Sequence, residues 1–213
     1  MEYITTGMEF FHKGGPIMYV LLFCSVFVAA IGIERSLYFS RADTGRAFAR
    51  RFYMLMANEK LAEAIGLAQE ARGDLADLLY TSMKKCTGTS KELSAYMEIQ
   101  SGIAISKFRN RLYYLNVIVT MAPLLGLLGT ISGMISAFSV FNLESGQASA
   151  ITGGVGEALI ATAMGLCVAI IALAVHAYFA QRIENIVTDM EQCFSLVEAQ
   201  QASLAKQMEG LVH

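Results

Sequence analysis

The chain has 213 residues, 55% of them hydrophobic and only 16% charged. A soluble domain carries charge on about a quarter of its residues, so a membrane location is the first reading to follow. The net charge of -2, from 16 Lys and Arg against 18 Asp and Glu, excludes a broadly basic surface for nucleic acid.

At the N-terminus Ile4, Met8 and Phe11 share a helical face, with Glu2, Glu9 and Lys13 off it. This predicts an amphipathic segment over 1–15 lying on the outer membrane surface, after which Gly14-Gly15-Pro16 turns the chain into the bilayer. From Ile17 to Ile33 no residue is charged, which predicts a first transmembrane helix over 16–39. Lys13 precedes this span, thirteen Lys and Arg lie from Arg35 to Arg111, and only Arg182 and Lys206 come later. Because basic residues collect in the cytoplasm, the N-terminus is expected outside and both 40–111 and the C-terminus inside. A cleaved signal peptide carries its positive charge ahead of the apolar run. Here the cluster comes behind it, so the first span is expected to remain as an anchor.

The cytoplasmic segment 40–111 reads as helical, since Pro is absent between Pro16 and Pro123 and good helix formers dominate Asp43 to Ala71. Gly73 and Thr87-Gly88-Thr89 punctuate it, and Thr89 with Glu92 has the form of a capping box. From there one long helix is predicted to rise through the second span, 112–141. Charge is absent from Leu112 to Leu143, a run longer than the hydrocarbon core requires. An outer loop over 142–152 leads to a third span, 153–181, with Glu157 at its leading edge. Beyond it Ile183, Ile186, Val187, Met190, Phe194 and Val197 recur at three- and four-residue spacing, so the span is expected to continue into an amphipathic cytoplasmic helix over 182–213. The fold class is an all-α membrane protein: three transmembrane helices, two of them extending into a cytoplasmic helical bundle.

Membrane helices associate where small residues let backbones approach. Gly126, Gly129, Gly133 and Ala137 form such a stripe in the second span, next to Pro123; Gly154, Ala158, Ala161, Gly165 and Ala169 form another in the third. Two hydroxyls stand out at comparable depth. Thr130 and Thr162 either bond back to a carbonyl one turn earlier or line a polar path. Thr162, Gly165, Ala169, Ala172 and His176 can share one helix face, which makes a narrow groove available. Apart from Glu34 near the end of the first span, Glu157 is the only acid inside a membrane segment; such residues are costly and tend to be functional or paired, although a helix N-terminus also favours an anion. His176 can titrate or simply anchor an interface. The four cysteines show no C-x-x-C and no His at ligand spacing, so no metal, disulfide or cofactor is expected. Neither a nucleophile elbow nor a phosphate loop is present, and no enzymatic activity is expected.

These residues resemble the MotA/TolQ/ExbB proton-channel family, in its ExbB/TolQ branch. The likeness runs from HKGGPIMYVLLFCSVFVAAIGIERSLYF (His12 to Phe39), with its closing Glu34-Arg35, through APLLGLLGTISGMISAF (Ala122 to Phe138) to GGVGEALIATAMGLCVAI (Gly153 to Ile170). The resemblance implies a homopentamer in the inner membrane, N-terminus periplasmic. It would enclose two helices of an ExbD- or TolR-like partner whose membrane Asp carries protons, and it would act with a TonB- or TolA-like protein. The resemblance implies pore-facing roles for Thr130, Thr162 and Glu157. Where many members carry Pro and Tyr-Asn late in the third span, this chain has Ile171 and His176-Ala177, so a cytoplasmic exit at His176 is a separate expectation. The competing readings are a non-conducting membrane scaffold and a solute transporter; the latter usually needs inverted repeats and broken helices.

Overall fold

A computed structural model describes residues 15–86, 89–143 and 148–212; side chains at 140–143, 148–152, 157 and 208–212 fall outside the described set. Every element among these residues is helical. In chain order they are α1 (Pro16–Ala42), α2 (Arg46–Ala57), α3 (Leu61–Glu70), α4 (Asp74–Lys84), α5 (Ser90–Arg109), α6 (Leu112–Leu143), α7 (Ala148–Ala199) and α8 (Gln201–Val212). The amphipathic segment expected over 1–15 lies outside the described residues except for Gly15. The chain divides into two compact units, one of residues 1–33 and 111–178, the other of 34–110 and 179–213.

The first unit is made of the apolar parts of α1, α6 and α7. Gly15 has φ 71, a conformation open to glycine, and Pro16 opens α1, where its missing N–H costs nothing. Met18, Leu21, Cys24, Val28 and Ile31 recur every three or four residues along α1 and are buried against Leu115, Ile118 and Ala122 of α6 and Ala161, Val168, Ala169 and Ala172 of α7. The other faces are equally apolar: Phe23 of α1, Leu124 and Ile135 of α6, and Leu159 and Ile170 of α7 are all exposed. A helix apolar on every side is stable in lipid or among other apolar helices, not in water. The three helices are each long and apolar enough to cross a membrane, and α6, at 32 residues, spans about 48 Å against a hydrocarbon core of about 30 Å.

The second unit is a helical bundle with an amphipathic logic. Phe39, Phe52, Met56, Leu79, Met83, Leu93, Phe108 and Met190 are fully buried, and the rings of Phe108 and Phe179 lie 5.1 and 5.2 Å from that of Phe39. The end of α7 contributes Ile183, Ile186, Met190 and Val197 to the core, so one helix of 52 residues continues out of the third span. At the start of α5 the Thr89 side chain accepts from the Glu92 N–H and the Glu92 carboxylate from the Thr89 N–H; the Thr89 N–H first, and the Thr89 hydroxyl after it, hold the Glu92 carboxyl below its ordinary pKa.

One expectation is corrected. The single long helix predicted to rise from Thr89 through the second span is two helices, α5 and α6, interrupted at Asn110 and Arg111. Asn110 leaves the helical region and Arg111 takes φ 68. The stop signal is the basic last turn, Lys107 and Arg109, followed by Asn, a residue that suits helix C-termini. Pro123, by contrast, lies inside α6 without ending it.

Candidate functional site

In the first unit α6 and α7 approach closely along the two small-residue stripes. A Cβ added at Gly165 would lie 2.5 Å from the Ala122 carbonyl oxygen and 3.1 Å from the Gly126 Cα; one at Gly126 would lie 2.9 Å from the Thr162 Cα. Further along, Gly129 faces the Ala161 methyl, Gly133 that of Ala158, and Gly154 that of Ala137, with distances from an added Cβ of 2.5, 2.9 and 2.5 Å. Each step forward on α6 is matched by a step back on α7, an antiparallel register in which only glycine fits on one side of each contact. Pro123, half-buried in α6, sits beside the tightest point.

The two threonines behave differently. Thr130 donates to the Leu127 carbonyl of its own helix at 2.7 Å, the local bond that is common for Thr in membrane helices. Thr162 instead donates across to the Gly126 carbonyl at 3.0 Å. In both the hydroxyl proton is committed to a backbone carbonyl while the oxygen keeps lone pairs. Each is therefore able to accept a further hydrogen bond more readily than to donate one.

The face expected to form a groove is largely closed. Gly165, Ala169 and Ala172 are buried in the core of the unit, while Thr162 and His176 are half-buried. Residues on one face of α7 pack against α1 and α6 because their small size suits close helix contact. Spacing identifies such a face without saying what it meets. Glu157 belongs to α7, but its side chain lies outside the described residues.

The second unit gathers polar groups that sequence reasoning did not single out. Arg35 is 4% exposed. Its Nε and Nη2 donate to the two Glu34 carboxylate oxygens at 2.7 and 2.6 Å, and its Nη1 donates to the Lys107 carbonyl at 3.0 Å. Glu34-Arg35 was visible as a pair, but not the distant carbonyl. Elsewhere Asp43 accepts from the Gly45 N–H at 2.8 Å and from the Arg182 Nε at 2.9 Å. Asp189 lines a small cavity with Asp43, Thr44 and Gly45. Burial raises the Asp189 carboxyl above its ordinary value and Asp43 adds to this, against the opposing charges of Arg46 and Arg50. An acid whose folded pKa is raised binds its proton more tightly folded than unfolded. Its ionised form therefore weakens the unit at neutral pH, an effect that fades as pH falls through the raised pKa. Asp189→Asn is expected to raise the thermal unfolding midpoint at pH 7 and to give no gain below the ordinary value of 3.8, as thermal scans at the two pH values will read. Among the described residues no group of three or more His, Cys, Asp or Glu could hold a metal.

Three apolar helices on a close-packed glycine register define a multi-pass membrane protein. Residues 70–192 match the model of the MotA/TolQ/ExbB proton channel family. A putative biopolymer transport protein, ExbB-like 1, of Synechocystis sp. is 34% identical over 173 residues, covering 79% of this chain and 68% of that one. An ExbB homologue of Methanothermobacter thermautotrophicus is 25% identical, covering 90% and 69%, and the Tol-Pal system protein TolQ of Haemophilus influenzae is 25% identical, covering 81% and 82%. The chain belongs to the MotA/TolQ/ExbB proton channel family, in its ExbB/TolQ branch.

Proposed function

We propose that the chain is the ring-forming channel subunit of a motor in the inner membrane, driven by the proton motive force. Copies of it, five by family resemblance, enclose two helices of an ExbD- or TolR-like partner whose membrane Asp carries the proton. A TonB- or TolA-like protein passes the work to the cell envelope. The N-terminus is periplasmic and the C-terminus cytoplasmic, as the placement of basic residues supports. A charge crossing the membrane potential releases about 2.3 kcal/mol per 100 mV, which is the energy available to move partner against ring.

The observation that carries this reading is the state of the two hydroxyls: both donate to backbone carbonyls and keep oxygen lone pairs. An oxygen whose proton is already engaged is better matched to a protonated carboxyl, which donates, than to a carboxylate, which accepts. Thr130 and Thr162 thus favour the neutral form of a partner acid at mid-membrane, where a charged one is costly. Glu157 would meet protons at the outer end of the path and His176 at the cytoplasmic end.

Thr130→Val with Thr162→Val, in the chain assembled with its partner, removes two hydrogen bonds of about 1 kcal/mol each. Proton flux in vesicles is expected to fall about ten- to a hundredfold, with the complex still copurifying and Thr130→Ser with Thr162→Ser retaining flux. Undiminished, uncoupler-sensitive flux in the valine variant would remove the threonines from the path. If the native complex passes no protons, it is a scaffold and not a channel.

A further inference from the structure

The side of α6 that carries Thr130 stays polar toward the end of the helix that starts at Leu112. Leu115, Ala122, Gly126 and Gly129 are buried, and this buried face runs past Pro123 without a break. Asn116, Pro123, Leu127 and Thr130 each follow one of these residues by a single place. With Thr120 they recur at steps of four, three, four and three, so they form one strip along the edge of the buried face. Asn116, Thr120 and Leu127 are exposed, and Pro123 and Thr130 half-buried. Thr162, donating to the Gly126 carbonyl, stands at the rim of the same strip.

Three polar groups on or beside the strip can hold water. Thr120 donates to the Val117 carbonyl at 2.9 Å, so its oxygen, like those of Thr130 and Thr162, keeps lone pairs. Pro123 has no N–H to give the Val119 carbonyl, which loses its usual donor within the helix. The Asn116 amide offers two donors and an acceptor and has no hydrogen-bond partner among the described residues. It also lies deep along both helices. The close approaches of Gly165 to Ala122 and of Gly126 to Thr162, continued in the same antiparallel register, bring Asn116 to about the level of Ala172. That level is inside the uncharged runs of α6 and of α7. An unpartnered amide turned to hydrocarbon is costly; one turned to a water-filled lumen is not. The register also sets His176 near the level of Leu112, about 27 Å along the axis from Thr130. A proton cannot cover that distance in one hydrogen bond, and Thr120 and Asn116 stand within the gap.

We propose that Asn116 and Thr120 hold the water that carries the proton from the mid-span threonines to the Arg111 end of α6, which the topology proposed above sets in the cytoplasm. This rests on the channel function proposed above and extends its path. Neither side chain titrates. The partner's protonated carboxyl gives its proton to a water, which becomes hydronium. The Asn116 side-chain carbonyl and the Thr120 oxygen accept hydrogen bonds from that hydronium, and the Asn116 N–H groups orient the water that next receives the proton. The proton leaves into solvent, and the carboxylate left behind takes its next proton from the outer side.

The test uses the full chain with its partner in proteoliposomes, with the exposed Cys167 changed to Ala. Asn116→Leu with Thr120→Val is expected to lower proton flux about tenfold or more in a complex that still copurifies, and Asn116→Ser with Thr120→Ser to recover part of it. Asn116→Cys and Thr120→Cys are each expected to react with a membrane-impermeant, positively charged methanethiosulfonate added on the cytoplasmic side, and flux should fall as they react. Met121→Cys, exposed on another side of α6, should not react. Where the leucine and valine variant fails to assemble, the labelling decides alone. Thiols at 116 and 120 that stay unlabelled, or that label with flux unchanged, overturn the proposal. Native flux that needs Thr130 and Thr162 but is indifferent to Asn116 and Thr120 overturns it while leaving the channel intact. A native complex that passes no protons overturns both.

Discussion

Gly165→Val is expected to prevent α6 and α7 from closing. The Cβ of any larger residue would lie 2.5 Å from the Ala122 carbonyl oxygen and within 3.2 Å of the Gly126 backbone. All three obstacles are backbone atoms, so no rotamer change relieves the clash and the helices must separate. Overpacking costs about 1–3 kcal/mol where side chains can shift, and the upper end or beyond applies here. About 3 kcal/mol corresponds to roughly 6–12 °C in a domain of this size, to be read as a drop in thermal midpoint in detergent. Separation also lengthens the distance from the Thr162 hydroxyl to the Gly126 carbonyl, now 3.0 Å, so proton flux should fall with stability. Gly156→Val is the matched control, because a Cβ at that position meets nothing within 4 Å. If the two variants unfold at the same temperature, the close register of α6 and α7 is not what holds the unit together.

That register was legible from sequence because the bilayer simplifies the problem. Where lipid is as apolar as leucine, small residues at three- and four-residue steps have little reason to recur except close backbone approach, and Gly126, Gly129 and Gly133 meet Thr162, Ala161 and Ala158. The spans were legible for the same reason, as uncharged runs. The partner of each polar group was not. Thr130 and Thr162 look alike in the sequence, yet one bonds within its helix and the other across to its neighbour, a choice set by which carbonyl the packing brings near. The groove expected along Thr162, Gly165, Ala169, Ala172 and His176 failed on the same ground: periodicity defines a face, and only tertiary packing decides whether it meets lipid, a second chain or the chain's own core. The break at Asn110 has another cause: no proline stands there, and a basic last turn followed by asparagine ends α5 without one.

Arg35 shows how such a hidden partner can hold a fold together, and Arg35→Leu is expected to destabilise the second unit although it leaves no large cavity. The guanidinium ties three elements of local structure to one point: the Glu34 carboxylate at 2.6 and 2.7 Å, the Tyr38 ring 4.8 Å from its Cζ, and the Lys107 carbonyl at 3.0 Å. The last bond supplies a donor to the final turn of α5, whose carbonyls have no partner within the helix. Removing one member of a fully buried pair costs about 3–5 kcal/mol. Because the Glu34 side chain is 35% exposed, solvent screens part of that, and about 2–3 kcal/mol is expected. Leucine fills much of the same volume, so the loss measures the polar contacts and not a cavity. Arg35→Lys should recover only part of it, since a point charge cannot engage the carboxylate in a fork and reach the carbonyl at once. The signature beyond the lowered midpoint is local: amide exchange should accelerate at the Ser106 to Asn110 end of α5 more than at its capped start near Thr89. A leucine variant as stable as the parent, with even protection along α5, would show that burial of Arg35 contributes nothing to the bundle.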